Sequence, residues 1–315
     1  MYDVVVVGGG VAGLSAALVL GRARRRVLVL DGGAPRNAPA QQAHGFLSRD
    51  GIPPLELLRL ARAELGAYPG VEVEPGEGAR AAATPRGFSL TPTQGQTIEA
   101  RKLVLATGVT DVLPAIPGLP ELWGRGVYHC PYCHGWEVRG KRWGVLGDTP
   151  LAFERVALYR GWASDVVVLA NGASGLAAAE RERLAALGAL FDERRIAYME
   201  RLGEDEVKVT FEDGSSLAVG GVFVVPRQVQ RSPLAEALGC AIDEFGPTAS
   251  RYVKVDAATG ETTVRGVYAA GDMIGTMQSL VLAAASGARA AAQLNHALAM
   301  EDAAALLAVA GSTVT

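Results

Sequence analysis

What the chain lacks narrows the field first. Its 315 residues hold only three cysteines, Cys130, Cys133 and Cys240. That is too few for a disulfide-stapled secreted scaffold. Lysine is nearly missing: 4 of the 30 basic residues, the rest being arginines scattered without a run. Against 33 acids they leave a net charge of −3. No basic stripe of the kind that nucleic-acid binders carry is present. No uninterrupted apolar stretch approaches the roughly 20 residues that a spanning helix needs. Met1-Tyr2-Asp3 leads straight into a strand, without the basic and apolar regions of a signal peptide. The expectation is a cytoplasmic protein with neither membrane nor nucleic acid as a partner. Glycine, by contrast, is plentiful at 39 residues, and 49% of the chain is hydrophobic. This is a globular composition, long enough for two ordinary domains.

The glycines are placed with purpose. Tyr2 to Val7 ends in four valines, a β-branched run that suits a buried parallel strand. Gly8-x-Gly10-x-x-Gly13 follows, and a helix is expected from about Val11 to Gly21. A second strand, Val27 to Leu30, ends at Asp31, 18 residues past Gly13. In a dinucleotide-binding turn, Gly8 permits the tight bend, Gly10 lets a pyrophosphate approach the backbone, and Gly13 lets helix pack on strand. The acid at the next strand end meets a ribose hydroxyl. A glycine-rich turn alone is the plainer alternative, but strand, helix and acid are all in place.

Further along, Leu55 to Leu65 has the spacing of an amphipathic helix. Val71 to Leu90 resembles short antiparallel strands, and Lys102 to Thr107 another buried strand ending at Thr107-Gly108. The segment from Leu113 to Pro120, rich in proline and glycine, marks a domain boundary. A second strand-turn-helix starts at Trp143, with its turn at Gly147 and a helix from Leu151 to Trp162. Strand Val166 to Leu169, an alanine-rich helix near Gly175 to Gly188, a hairpin near Val207 to Leu217 and strand Val222 to Val225 complete this module. The first pattern returns with strand Val267 to Ala270, Gly271-Asp272 and a helix from about Gln278 to Leu298. The tail from Met300 either extends that helix or frays. The fold class is therefore α/β, with two Rossmann-like dinucleotide-binding domains. Asp272, at a strand's C-terminal end, suits the ribityl hydroxyls of FAD, although an ordinary Gly-Asp turn would read the same.

The chemistry centres on Cys130-Pro131-Tyr132-Cys133-His134. A disulfide closing so short a loop removes little unfolded-state entropy, so it is a poor structural staple. Cysteines at a helix start are acidified, and proline suits the first helical turn. Haem attachment shares the C-x-x-C-H pattern but requires export. A zinc site needs two more ligands, and Cys240 and His44, His129 and His296 show no ligand spacing. No metal site is expected. A redox dithiol is the remaining reading. His134 is the candidate acid/base beside it, with helix capping or cofactor contact as its plainer roles, and His129 is the weaker candidate. Cys240 reads as buried and structural. Tyr132 and Trp136 read as packing around the dithiol.

Together, Gly8-Gly10-Gly13, Thr107-Gly108, the C-x-x-C and Gly271-Asp272 resemble the low-molecular-weight thioredoxin reductases over essentially the whole chain. The resemblance implies FAD held by a discontinuous domain of residues 1–112 and 240–315. A nicotinamide-type domain of residues 113–239 would carry the dithiol, and the protein would be a homodimer. It also implies that Cys133 faces the flavin, that Cys130 exchanges with substrate, and that Gln278 lies near the flavin's pyrimidine edge. His134, where the family has an acid, is similar to the branch of the gliotoxin and holomycin dithiol oxidases. Asp31-x-Gly33-x-Pro35-Arg36-Asn37 and His44-Gly45-Phe46 are similar to that branch too. The implied cofactor contacts are Gly8, Gly10, Ala12, Gly13, Asp31, Gly32, Arg36, Asn37, His44, Gly108, Gly271, Asp272 and Gln278. The substrate would be a thioredoxin-like protein or a small dithiol or disulfide.

The second turn departs from that pattern. Gly147-Asp148-Thr149 replaces the middle glycine and puts an acid near the phosphate position. Leu169-Ala170-Asn171-Gly172 lacks the ribose-binding acid, and the family's His-Arg-Arg cluster for a 2′-phosphate is missing. We therefore expect impaired NADPH binding. Oxygen, NADPH and a reduced ferredoxin remain alternative redox partners, and a flavin-binding sensor is a non-enzymatic alternative.

Overall fold

The computed structural model describes residues 1–147, 151–203, 206–246 and 248–312. The chain opens with β1 (Tyr2–Val7), α1 (Val11–Arg22) and β2 (Val27–Asp31). Next come α2 (Pro54–Leu65), β3 (Val71–Pro75), β4 (Gly78–Thr84), β5 (Gly87–Pro92) and β6 (Ile98–Leu105). With β19 (Val267–Ala269), far along the chain, these strands form a seven-stranded sheet ordered β3-β2-β1-β6-β5-β4, with β19 also on β6. Strand β1 shows why the sheet forms. Its side chains alternate between faces. Val4 and Val6 enter the core beneath α1, and Val5 and Val7 enter the core on the other face. All four are essentially inaccessible, as a strand covered on both faces should be.

From β6 the chain leaves this sheet through β7 (Val109–Val112). Then follow α3 (Leu119–Leu122), β8 (Val127–Tyr128), α4 (Pro131–His134), β9 (Arg142–Leu146), α5 (Ala152–Tyr159), β10 (Asp165–Leu169), α6 (Ala178–Ala186) and β11 (Leu190–Asp192). An antiparallel meander, β12 (Ile196–Leu202), β13 (Glu206–Phe211) and β14 (Ser216–Val219), precedes β15 (Gly221–Phe223). Strands β11-β10-β9-β15-β8 form a parallel five-stranded sheet, with β9 at its centre. The chain returns through β16 (Arg227–Gln230), which pairs antiparallel with β7. The outgoing and incoming passages are thus one two-stranded ribbon. The remaining elements are α7 (Leu234–Ala237), hairpin β17 (Ile242–Phe245) and β18 (Ser250–Val253), β19, a 3₁₀ turn at Gly271–Ile274, and α8 (Leu280–Ser312).

Several expectations need correction. Strand β3 pairs parallel with β2, not within an antiparallel set, because Val71 and Val73 pack onto the α1 side of the core. Strand β6 begins four residues earlier, at Ile98, where β5 covers it. Helix α5 is shorter than expected, stopping at Tyr159, and the hairpin near Val207 is a three-stranded meander. The tail extends the last helix to Ser312. Among the described residues, no helix is long and apolar enough to cross a membrane.

Helices α1 and α8 cross closely because glycine stands at the contact. A Cβ on Gly287 would lie 2.0 Å from the Ala12 carbonyl oxygen. Gly287→Val should therefore force the helices apart and lower stability by about 1–3 kcal/mol, the usual cost of overpacking. Urea denaturation checks this; an unchanged midpoint would show that the two helices do not meet at this distance.

Candidate active site

One cavity of about 530 Å³ runs from the first glycine turn to the dithiol. Gly8, Gly10, Ala12, Asp31, Gly32, Arg36, Asn37, His44, Gly108, Cys130, Cys133, His134, Gly271, Asp272 and Gln278 all line it. Gly13 does not. It sits beneath the turn, where a Cβ would come 1.9 Å from the Gly8 carbonyl oxygen. Gly8 itself has φ +113°, and a Cβ there would strike Ala106. Nothing lies within 4 Å of a Cβ on Gly10, so that edge of the turn is open to a ligand. The three glycines therefore serve bend, approach and packing in turn.

Asp31 ends β2 against Gly9, as expected, but it is not free. One carboxylate oxygen accepts from the Gly33 amide at 2.9 Å, and the other pairs with Arg62 of α2. Arg36 is more heavily engaged. Its Nε and Nη2 meet the two Asp111 oxygens at 2.7 and 2.8 Å. Its Nη1 reaches Asp272 at 2.9 Å and Gln278 Oε1 at 2.6 Å. Burial opposes the charge, but Asp111 and then Asp272 raise the guanidinium's pKa above its usual value. Gln278 is similarly committed. Its Nε2 donates to Gln228 Oε1 at 2.8 Å and to the carbonyls of Gly275 and Asp272. Asp111, Gln228 and Tyr252 in this network carry no sequence motif. The pairing of β7 with β16 reveals the first two, with Gln228 directly opposite Asp111, and Tyr252 of β18 joins by donating its hydroxyl to Gln228 Oε1 at 2.7 Å.

The dithiol stands on α4, a single turn with Cys130 in extended conformation at its N-cap and Pro131 at its start. Both thiols are free. The Cys133 thiol donates toward the Cys130 sulfur, and the Cys133 and Tyr132 amides add to it. Despite burial, these lower the Cys130 pKa to about 7. The same bond, with burial, pushes the Cys133 thiol well above its ordinary value. Behind the turn, Trp143 stacks on Phe223 at 4.3 Å and donates its Nε1 proton to Val138 O at 2.8 Å. Gly135 is tight against this tryptophan: a Cβ there would lie 2.8 Å away. Tyr132 and Trp136 are not packing residues. They are 70% and 65% exposed, and Trp136 carries Arg139 over its ring at 4.0 Å.

His134 lies over the Tyr128 ring at 4.6 Å, and both its ring nitrogens are buried without a hydrogen-bond partner. Burial lowers its pKa to about 4, and that of His129, which also lines the cavity, to about 4. His44 lies between Asp50 at 3.5 Å and Glu137 at 3.4 Å, joining its loop to the segment after the dithiol. Cys240 is buried and donates to Thr262 at 3.4 Å. Of the second turn, Asp148 and Thr149 lie outside the described residues. Asn171, two residues past β10, is in left-handed conformation, its Oδ1 accepting from the Ile196 amide at 2.8 Å.

A family model for pyridine nucleotide-disulphide oxidoreductases matches residues 2–287. The chain belongs to that family. Thioredoxin reductase tcpT of Claviceps purpurea is 35% identical over 300 residues, covering 91% of each chain. Thioredoxin reductase sirT of Leptosphaeria maculans is 32% identical, covering 94% of each. Among solved structures, HlmI superposes with a TM-score of 0.91 at 40% identity, covering 100% of this chain and 98% of that one. An oxidoreductase from Agrobacterium tumefaciens gives 0.88 at 36%, covering 95% and 99%. As a member, this chain is a thioredoxin-reductase-like thiol–disulfide oxidoreductase, and the family implies a flavin.

Two outcomes follow from the charges at the site. Iodoacetamide should alkylate the reduced protein at Cys130 first, with a rate that rises through a midpoint near pH 7; peptide mapping that finds Cys133 first would contradict this. His129 and His134 bind protons less readily folded than unfolded. The unfolded state therefore takes up more protons between about pH 6.5 and 4, and stability falls as pH drops through that window. Each histidine can contribute up to about 1.4 kcal/mol per pH unit there. Urea midpoints from pH 7 to 5 should fall less in His134→Gln than in the native protein.

Proposed function

We propose that this protein is an FAD-dependent dithiol oxidase whose redox pair is Cys130/Cys133 and whose NADPH site is degenerate. The observation that carries the reading is that the dithiol and the dinucleotide turn open on one cavity. The residues fit the cofactor: Gly10 leaves backbone open to a pyrophosphate, and Asp272 keeps a partly exposed carboxylate on the cavity wall. In this reading residues 1–112 and 240–315 hold FAD, and residues 113–239 present the dithiol.

The chain's own residues account for the thiol steps. In the oxidised pair, a substrate thiolate attacks the Cys130 sulfur, and the Cys130–Cys133 bond breaks. Cys133 leaves and takes a proton, as its raised pKa favours. The second substrate thiolate then attacks its own mixed-disulfide sulfur, and Cys130 departs as a thiolate stabilised by Cys133 and the Tyr132 and Cys133 amides. The substrate leaves as a disulfide, having given up two electrons and two protons. His134, neutral and unpartnered, relays the second proton through a ring nitrogen toward solvent rather than retaining it, since burial disfavours its charged form. When bound, the flavin supplies the two-electron acceptor that dioxygen can reoxidise.

Support for a degenerate NADPH site comes from the end of β10. Asn171 stands where an acid would meet the ribose, and its amide oxygen is already engaged. Nearby Arg181 pairs with Glu193 at 2.8 Å, and Arg194 pairs with Asp192. The acidic Cys130 would also serve attack on a disulfide of a thioredoxin-like protein, so direction is decided by the electron donor. An anaerobic titration near 450 nm separates the two. A small dithiol should bleach the flavin, air should restore the colour with peroxide formed, and NADPH should bleach it slowly or not at all. Rapid stoichiometric bleaching by NADPH would make the protein a disulfide reductase instead.

A further inference from the structure

The two passages of the chain between its sheets meet in the β7–β16 ribbon, and a buried amide sits at the centre of that ribbon. Gln228, 3% exposed, uses all four of its side-chain bonding positions. Its Nε2 donates to Asp111 Oδ1 and to Gln278 Oε1, both at 3.0 Å. Its Oε1 accepts from the Tyr252 hydroxyl at 2.7 Å and from Gln278 Nε2 at 2.8 Å. Its backbone amide donates to the Ser250 hydroxyl at 2.9 Å. Among the described residues of β7 and β16, it alone bonds both to the opposite strand and to Gln278.

These contacts place Gln228 between two parts of the cavity wall. On one side are Gln278 and Asp272, which lead into α8 of the seven-stranded half. On the other is the ribbon from which the dithiol-bearing half hangs. A ribbon of four residue pairs is a slender connection, and rotation at such a junction is resisted only by what crosses it. Arg36 crosses from the loop after β2, and Arg231 crosses to the Ala34 carbonyl. Within β16, Gln230 also reaches the 3₁₀ turn, its Nε2 donating to the Met273 carbonyl at 3.2 Å, but among the described residues of the ribbon only the Gln228 side chain joins β7, β18 and Gln278 at once. A turned amide would face donor to donor at Gln278 Nε2 and acceptor to acceptor at Asp111, so these bonds hold it in one orientation.

We propose that Gln228 is a positioning residue that sets the dithiol of α4 against the flavin pocket. Its role is to fix the ribbon's angle, not to touch substrate. The inference rests on the dithiol–flavin reading above. The apolar variant Gln228→Met keeps the length of the side chain and removes all four bonds, and Tyr252→Phe removes one.

Both are compared with the native protein in the FAD-loaded full chain. Dithiothreitol should bleach the flavin at least tenfold more slowly in Gln228→Met and two- to fivefold more slowly in Tyr252→Phe. Iodoacetamide labelling of Cys130 should keep its native rate and pH midpoint in both, since the thiol's own surroundings are untouched. Amide exchange at Val109–Val112 should quicken at least tenfold in Gln228→Met, while β1 keeps its protection. Native bleaching rates in both variants, or a bleaching loss that comes with a shifted Cys130 midpoint, would overturn the proposal. If Gln228→Met does not fold, Tyr252→Phe alone decides. If dithiothreitol fails to bleach even the native protein, the redox reading fails by itself, and exchange at the ribbon judges Gln228: unaltered exchange overturns its role.

Discussion

A guanidinium largely withdrawn from water is costly unless its surroundings match it, and the matching of Arg36, whose side chain is 21% exposed, organises this molecule. Two carboxylates and an amide oxygen close around it, drawn from β7, from the 3₁₀ turn and from the segment just before α8. Arg36 itself comes from the loop after β2, so four separate segments converge on one charge. The same loop meets the dithiol half again through the Pro39 carbonyl, which accepts from Arg125 at 3.1 Å, and through His44 facing Glu137. Removing Arg36 would leave the buried Asp111 carboxylate without its cation, which is worse than having no network. The cavity walls are therefore held by charge and hydrogen bonding, while the sheets beneath them are held by valine and leucine.

The dithiol depends on a different balance. Its helix is only one turn, too short to be stable alone. It is held instead by the aromatic floor of Trp143 and Phe223 and by the absence of a side chain at Gly135. On that support, one sulfur gains hydrogen bonds and the other loses ionisation. The pair is thereby polarised, Cys130 being the more acidic thiol and Cys133 the one that keeps its proton. Neutral His134 lies beside them, its nitrogens sheltered from water.

How much of this could be read in advance follows from what each residue depends on. The first dinucleotide turn was legible because its glycines, helix and terminal acid are neighbours along the chain, and local chemistry fixes their spacing. So was the dithiol. Asp111 and Gln228 were not, since each is an unremarkable polar residue in a short strand, and they acquire meaning only when β7 and β16 pair. The parallel placement of β3 was hidden for the same reason: Val71 to Leu90 has strand composition throughout, and composition does not record a partner. Trp136 misled because large aromatic side chains are usually buried, whereas here Arg139 covers its ring at the surface. Arg36 and Gln278, expected as cofactor contacts, do line the cavity, but their polar atoms are turned toward each other and toward the ribbon.

The most direct test of this account is a trapping measurement on FAD-loaded Cys133→Ser. Without its resolving partner, Cys130 should form a mixed disulfide with an aromatic disulfide reagent such as 5,5′-dithiobis(2-nitrobenzoate). One equivalent of adduct is expected, mapped by mass spectrometry to Cys130, on a protein whose flavin a dithiol no longer bleaches. An adduct found instead on Cys240, or bleaching by a dithiol at the native rate without Cys133, would contradict it.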